Sequence, residues 1–89
     1  MNTLPRIQSV KPLDGYQLAV QFDDGYMVLY DVMDDMVNVE EFKALQAIGG
    51  LWAMVKLDKS RTVVYWNDRI DLPSDTIYEY GKPVSGFGY

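Results

Sequence analysis

Two stretches of strict alternation joined by a short acidic turn constrain this chain more than any other feature. In residues 16–22, Tyr16, Leu18, Val20 and Phe22 point one way, and Gln17, Ala19 and Gln21 the other. In residues 26–32, Tyr26, Val28, Tyr30 and Val32 oppose Met27, Leu29 and Asp31. A period of two is the mark of a strand with one buried face, and Asp23-Asp24-Gly25 between the two is a hairpin signal. A three-residue loop, with Gly25 left-handed as a bulge, pairs Phe22 with Tyr26 and puts both larger apolar sets on one face. A two-residue Asp-Gly loop pairs Phe22 with Met27 and swaps the faces of the second strand. The first register gives the more amphipathic ribbon and is the one expected. It leaves Met27 and Leu29 beside Gln17 and Gln21 on the outer face.

Around this hairpin the remaining elements fall into order. Residues 6–12 read as a first strand, which Pro12 makes an edge or ends. Asn38 with Glu41 forms a capping-box pattern. Val39, Phe42, Leu45 and Ile48 then recur at about helical spacing, so one helix is expected from Asn38 to Gly49-Gly50. Residues 51–57 are apolar on both faces, as in a covered strand. Asp58-Lys59-Ser60-Arg61 is a turn, Thr62–Trp66 a β-rich strand, Asn67-Asp68 a second turn, and Ile70–Leu72 a short strand. Pro73-Ser74-Asp75 opens a brief helix to about Tyr80. The order β-β-β-α-β-β plus a helical turn predicts an α+β domain over residues 1–80. It would have an antiparallel sheet of about four to six strands and one main helix on one face. Gly81, Pro83, Gly86 and Gly88 make residues 81–89 an expected flexible tail.

Composition narrows function mainly by exclusion. The 89 residues suffice for one domain. Without Cys there is no disulfide or thiolate chemistry. Without His, neither a Ser-His-Asp site nor a zinc site of the usual nitrogen and sulfur type can be built. Met1–Arg6 has no apolar signal-peptide core, and the run Leu51–Val55 is far shorter than the ~20 residues of a membrane span. A cytoplasmic protein, not a membrane protein, is expected. The net charge is −5. Asp14, Asp23, Asp24, Asp31, Asp34, Asp35, Glu40 and Glu41 follow one another with no base among them. Such a chain repels a phosphate backbone, so nucleic-acid binding is not expected, and it attracts a basic protein.

Candidate sites each meet a plainer reading. Asp31, Asp34 and Asp35 could offer oxygen ligands to a hard cation, but the spacing fits no EF-hand loop, and a solvated acidic loop is preferred. Asp68, Asp71 and Asp75 could pair for acid–base work, yet turns and helix starts favour Asp anyway. Lys56, Lys59, Arg61 and Arg69 could form a basic patch, though a solvated hairpin tip fits the acidic chain better. No cofactor, metal or catalytic residue is expected. Tyr16, Tyr26, Tyr30, Trp52, Tyr65 and Trp66 load the strands with aromatics. Most should face the core, and an exposed one would suggest a protein partner first.

Three segments in this order resemble a known family. They are Pro5-Arg6-Ile7; Phe22-Asp23-Asp24-Gly25 followed by Tyr30-Asp31-Val32; and Trp66-Asn67-Asp68-Arg69-Ile70-Asp71-Leu72 with Pro73-Ser74-Asp75-Thr76-Ile77-Tyr78. Together, over about residues 4–80, they are similar to the small bacterial domain-of-unknown-function family numbered 2442. Arg69 departs from the pattern, which more often has Gly there. The resemblance implies a compact α+β domain, either alone or followed by a helix-turn-helix domain, for which residues after Tyr80 leave no room here. It also implies a gene beside that of another small protein, a pairing that has led to the proposal of antitoxin partners. Two functions are therefore expected as alternatives. One is an acidic, antitoxin-like interaction module that masks a basic protein partner through Tyr30, Asp31, Asp34, Asp35 and Trp66. The other is a small-molecule-binding or regulatory domain with a pocket near Trp52, Trp66 and Tyr78. A carboxylate enzyme ranks behind both. A homodimer through Met27 and Leu29 or an open strand edge is a further expectation.

Overall fold

The computed structural model describes residues 4–84. Three strands open the chain: β1 (Ile7–Leu13), β2 (Gln17–Phe22) and β3 (Met27–Asp31). In the β2–β3 pair, Val20 faces Val28 and Gln21 faces Met27, which brings Phe22 opposite Tyr26. The Phe22 N–H donates to the Tyr26 carbonyl at 2.9 Å, and the Gly25 N–H to the Phe22 carbonyl at 3.0 Å. Gly25 sits at φ +89°, a conformation that costs glycine least. The three-residue loop is thus the one formed. Leu18, Val20, Phe22, Val28 and Tyr30 all turn inward and are buried. β1 forms the edge, as Pro12 suggests, and pairs antiparallel with β2.

Tyr16, expected as the first inward residue of β2, lies instead in the turn before it, at φ +61° beside Gly15 at φ +79°. A bulky residue there is strained. Two contacts hold it: its carbonyl accepts the Val32 N–H at 2.9 Å, and its ring meets Trp52 edge-on at 5.2 Å.

The single helix expected from Asn38 does not form. Instead α1 spans Met33–Asn38, a 3₁₀ turn spans Glu40–Lys43, and α2 spans Ala44–Ala47. The Asp31 carboxylate accepts the Met33 N–H at 2.9 Å, and Asp34 and Asp35 lie in the first turn, where the helix dipole favours negative charge. Asn38 closes α1, its side-chain amide donating to the Asp34 carbonyl at 2.8 Å. Val39 is extended at φ −122°, ψ 118° and breaks the run. Of the expected stripe, Phe42 and Leu45 are buried, whereas Val39 is 37% and Ile48 55% exposed. The spacing explains this. Steps of three at about 100° per residue carry position 48 about 180° round from position 39 on a straight α-helix, so one face cannot bury both.

The apolar run 51–57 is likewise not a full strand. Trp52–Met54 form a 3₁₀ turn and only Lys56–Leu57 pair, as β4. Trp52 fixes this shape. Its indole N–H donates to the Leu13 carbonyl at 3.0 Å, its carbonyl accepts the Trp66 indole N–H at 3.1 Å, and the two rings stack at 5.6 Å. β5 (Val63–Asn67) and β6 (Ile70–Pro73) follow the expected strands, and α3 (Ser74–Tyr80) the expected helix. At the β5–β6 turn the Asn67 side-chain oxygen accepts the N–H groups of Arg69 at 2.8 Å and Ile70 at 3.1 Å. Arg69 keeps a negative φ, so no glycine is needed there.

The chain is therefore α+β, but with two antiparallel sheets instead of one: β1-β2-β3-β7 and β4-β5-β6. β7 (Lys82–Pro83) falls in the segment expected as tail. It pairs with Val28 and Leu29 of β3, and residues 85–89 lie outside the described residues. Gly81 makes this return possible, since a Cβ there would stand 2.7 Å from Val28 Cβ and 2.6 Å from the Ile77 carbonyl. One core joins the sheets, with Leu18, Phe22 and Tyr30 from the first, Val64, Trp66, Ile70 and Leu72 from the second, and Ile77 from α3. No described helix is long and apolar enough to cross a membrane.

Candidate functional site

Two Asp-Asp pairs dominate the acidic half of the chain, and their surroundings differ. At the hairpin tip, Asp23 receives a two-pronged contact from Arg61, with Nη1 to Oδ1 at 2.8 Å and Nη2 to Oδ2 at 2.9 Å. Arg61 reaches it from the turn before β5, at φ +60°. Asp24 accepts the Tyr26 N–H at 2.9 Å and the Tyr78 hydroxyl at 2.7 Å. The Tyr26 N–H, and then the Tyr78 hydroxyl, hold its pKa below the usual value. Tyr78 also packs edge-on against Phe22 at 4.8 Å. The Asp23 N–H donates to the Arg6 carbonyl, and the Ile7 N–H to the Arg61 carbonyl. All three segments that carry the family resemblance meet here. Every acidic group at the tip has a partner, so it reads as a clamp between hairpin, second sheet and α3. A hollow of about 370 Å³ lies beside it, lined by Leu4, Pro5, Arg6, Phe22, Asp23 and Asp24.

The second pair begins α1. Asp34 is exposed, and its carboxylate takes no hydrogen bond or ion pair among the described residues. Asp35 is half-buried and accepts the Tyr30 hydroxyl at 2.8 Å. Burial pushes its pKa up; the Tyr30 bond opposes this, while the Asp34 and Asp31 charges add to it. Burial, the bond to Asp35 and the neighbouring charges likewise push the Tyr30 phenol well up. Asp31 is exposed and accepts the Met33 N–H at the start of α1. The structure thus brings Tyr30, Asp31, Asp34 and Asp35 together. Trp66, the fifth expected contact, is only 3% exposed and sits in the core against Trp52 and Phe42. It can reach a partner only indirectly, through its packing.

Other candidates are placed plainly. Asp68, Asp71 and Asp75 are exposed. Asp58 closes the turn before β5. It accepts the Thr62 and Val63 N–H groups at 3.1 Å each and the Ser60 hydroxyl at 2.7 Å, and the Ser60 bond leads in lowering its pKa. Of the expected basic patch, Arg61 is engaged by Asp23, while Lys56, Lys59 and Arg69 are exposed. Among the described residues no group of three or more acidic side chains is arranged to hold a metal ion. Trp52 and Trp66 stack on each other, while Tyr78 packs on Phe22 and Tyr26.

Sequence reading missed one feature beside the second acidic pair. Met33, Met36, Val37, Lys43, Gln46 and Ala47 line a groove of about 490 Å³ between α1 and α2. Met33 and Val37 are 41% and 70% exposed, and Met36 forms its buried floor. The i, i+3, i+4 spacing of these three residues was the available signal. It is too short to stand out beside the longer pattern from Val39.

No curated protein and no solved structure matches the chain. A family model does, over residues 7–83, which include both Asp-Asp pairs, the clamp and β7. The chain belongs to the family described as "Protein of unknown function (DUF2442)".

Proposed function

We propose that this protein is a small acidic interaction module that binds and masks a basic partner protein, in the manner of an antitoxin. The observation that supports it is the unequal use of charge. Among the described residues the ion pairs are Arg61–Asp23 and Lys43–Glu40, so eleven of the thirteen acids have no cation, and four of these, Asp31, Asp34, Asp35 and Glu41, fall close together. Three of these four are exposed on one short stretch around α1. Uncompensated charge of one sign steers an oppositely charged protein into place and speeds its association at low salt. Asp35, held part-buried with its pKa raised, gains a stabilising neighbour when a cation arrives. The small-molecule reading has less support, since Trp66 is buried against Trp52 while Tyr78 packs elsewhere, on Phe22 and Tyr26.

The test is co-expression with the product of the neighbouring gene, followed by size-exclusion chromatography. Co-elution at a fixed ratio, with growth arrest by the neighbour relieved by this chain, is the expected result. The Asp34→Lys/Glu41→Lys double variant should weaken association about tenfold or more at low salt and much less at high salt. Separate elution with no effect on growth overturns the proposal. The same column reports any homodimer formed through Met27 and Leu29, which are half-buried on the outer face.

A further inference from the structure

We infer that Asp14-Gly15 is a site of spontaneous backbone isomerisation, and that the clamp at the hairpin tip denies the same reaction to Asp24-Gly25. The tripeptide Asp-Gly-Tyr occurs at 14–16 and again at 24–26, so the immediate sequence does not separate the two. In such a pair the glycine amide nitrogen attacks the aspartate side-chain carboxyl. A bond from nitrogen to Cγ forms, and the amide proton leaves with the carboxyl hydroxyl as water. Water then opens the resulting five-membered imide. Where the bond to the former main-chain carbonyl breaks, the chain runs on through the side chain as isoaspartate, with an added backbone carbon and unchanged mass. Glycine permits the attack best, because it has no Cβ and a freer backbone. Both dipeptides are exposed, and a Cβ at either glycine would meet nothing within 4 Å, so neither access nor crowding distinguishes them. Hydrogen bonding does. The Gly25 N–H donates to the Phe22 carbonyl at 3.0 Å. The Asp24 carboxylate accepts the Tyr26 N–H at 2.9 Å and the Tyr78 hydroxyl at 2.7 Å. Nucleophile and carboxyl are thus both held, and the two donors favour the unreactive carboxylate over the acid. Among the described residues the Asp14 carboxylate has no hydrogen bond or ion pair, and the Gly15 N–H donates to no acceptor. The change reaches beyond its turn. Tyr16 follows at φ +61°, its carbonyl accepts the Val32 N–H at 2.9 Å, and its ring meets Trp52 at 5.2 Å. An added backbone carbon in this turn displaces the residue that ties it to both.

The test incubates the full chain for several weeks near neutral pH, folded and in denaturant. Digestion with a protease that cuts before aspartyl but not isoaspartyl residues, read by mass spectrometry, locates the product. In the folded chain isoaspartate should form at position 14 about tenfold or more faster than at position 24, because position 24 must first open locally. In denaturant, where the clamp is gone, the two rates should converge. Tyr78→Phe keeps the ring on Phe22 and removes only the hydroxyl. It should speed the folded-state reaction at position 24 several-fold and leave position 14 unchanged. Asp14→Glu does not close a five-membered imide. It should abolish the product at position 14, together with the slow change in tryptophan emission expected of the parent chain. Equal folded-state rates at the two positions overturn the proposal, as does the absence of product at position 14 in the folded chain. A preference for position 14 that persists in denaturant, or a rate at position 24 that Tyr78→Phe leaves untouched, removes the clamp as the cause.

Discussion

The same dipeptide, Asp-Asp, occurs at 23–24 and at 34–35, and the fold treats the two in opposite ways. Asp23 and Asp24 are gripped by a guanidinium, a phenol and a backbone N–H. Asp34 has no such partner, and Asp35 has one phenol and two like charges nearby. The first pair stabilises the molecule. The second leaves part of its electrostatic cost uncompensated, and such local conflict collects at sites of function. Charge count alone would rank the two pairs equally; what separates them is which distant residues the tertiary fold delivers.

The largest blow to the first region is removal of the ring that its phenol packs on. Phe22 is 1% exposed and touches both Tyr26 and Tyr78. Phe22→Ala should cost about 3–5 kcal/mol by chemical denaturation, whereas Met33→Ala beside the second pair should cost well under half of that. A loss at Met33 as large as at Phe22 would mean that α1 is core and not a binding face.

Charge removal sharpens the contrast because the two effects differ in sign. The folded-state pKa of Asp24 is lowered, so its contribution is present above the unfolded value and lost as pH falls through the folded one. Asp24→Asn should therefore lower Tm at pH 7 and make little difference in acid below both values. The folded-state pKa of Asp35 is raised, so its contribution is full below the unfolded value and lost as pH rises through the folded one. Asp35→Asn, which keeps an acceptor for the Tyr30 hydroxyl, should raise Tm at pH 7, and the gain should vanish at low pH. Thermal melts across that range check both; two shifts of the same sign would erase the distinction.

A smaller effect is expected from the Arg61 clamp. Its ends are 38% and 42% exposed, so solvent screens it, and Arg61→Ala should cost about 1 kcal/mol. A double-mutant cycle with Asp23→Ala isolates the pair. Smallest of all, Asp34→Lys with Glu41→Lys should leave stability within about 0.5 kcal/mol while abolishing the salt dependence of partner association.

Much of this architecture was legible where a local rule suffices. Alternation and one glycine define the β2–β3 ribbon and its register, because a one-residue slip would turn the buried set outward. The Pro73-Ser74-Asp75 helix start and the Asn67 turn read equally well. Reading failed where local patterns compete. The three-residue apolar steps from Val39 fit a 3₁₀ turn better than an α-helix, and a wholly apolar run such as 51–55 has no period to distinguish strand from turn. Of the candidate site, Tyr30, Asp31, Asp34 and Asp35 were named from charge and position, and the groove beside them was not.

By itself, then, the sequence determined the hairpin, the acidic balance and the exclusion of histidine and cysteine chemistry, all properties of neighbouring residues or of composition. Only the tertiary structure decided that the strands divide into two sheets, that Trp66 is core, and that Arg61 and Tyr78 reach Asp23 and Asp24. It also decided that α1 and α2 enclose an open apolar groove. The reason is distance along the chain. Arg61 meets Asp23 across 38 positions and Tyr78 meets Asp24 across 54, and no periodicity in either segment encodes that meeting.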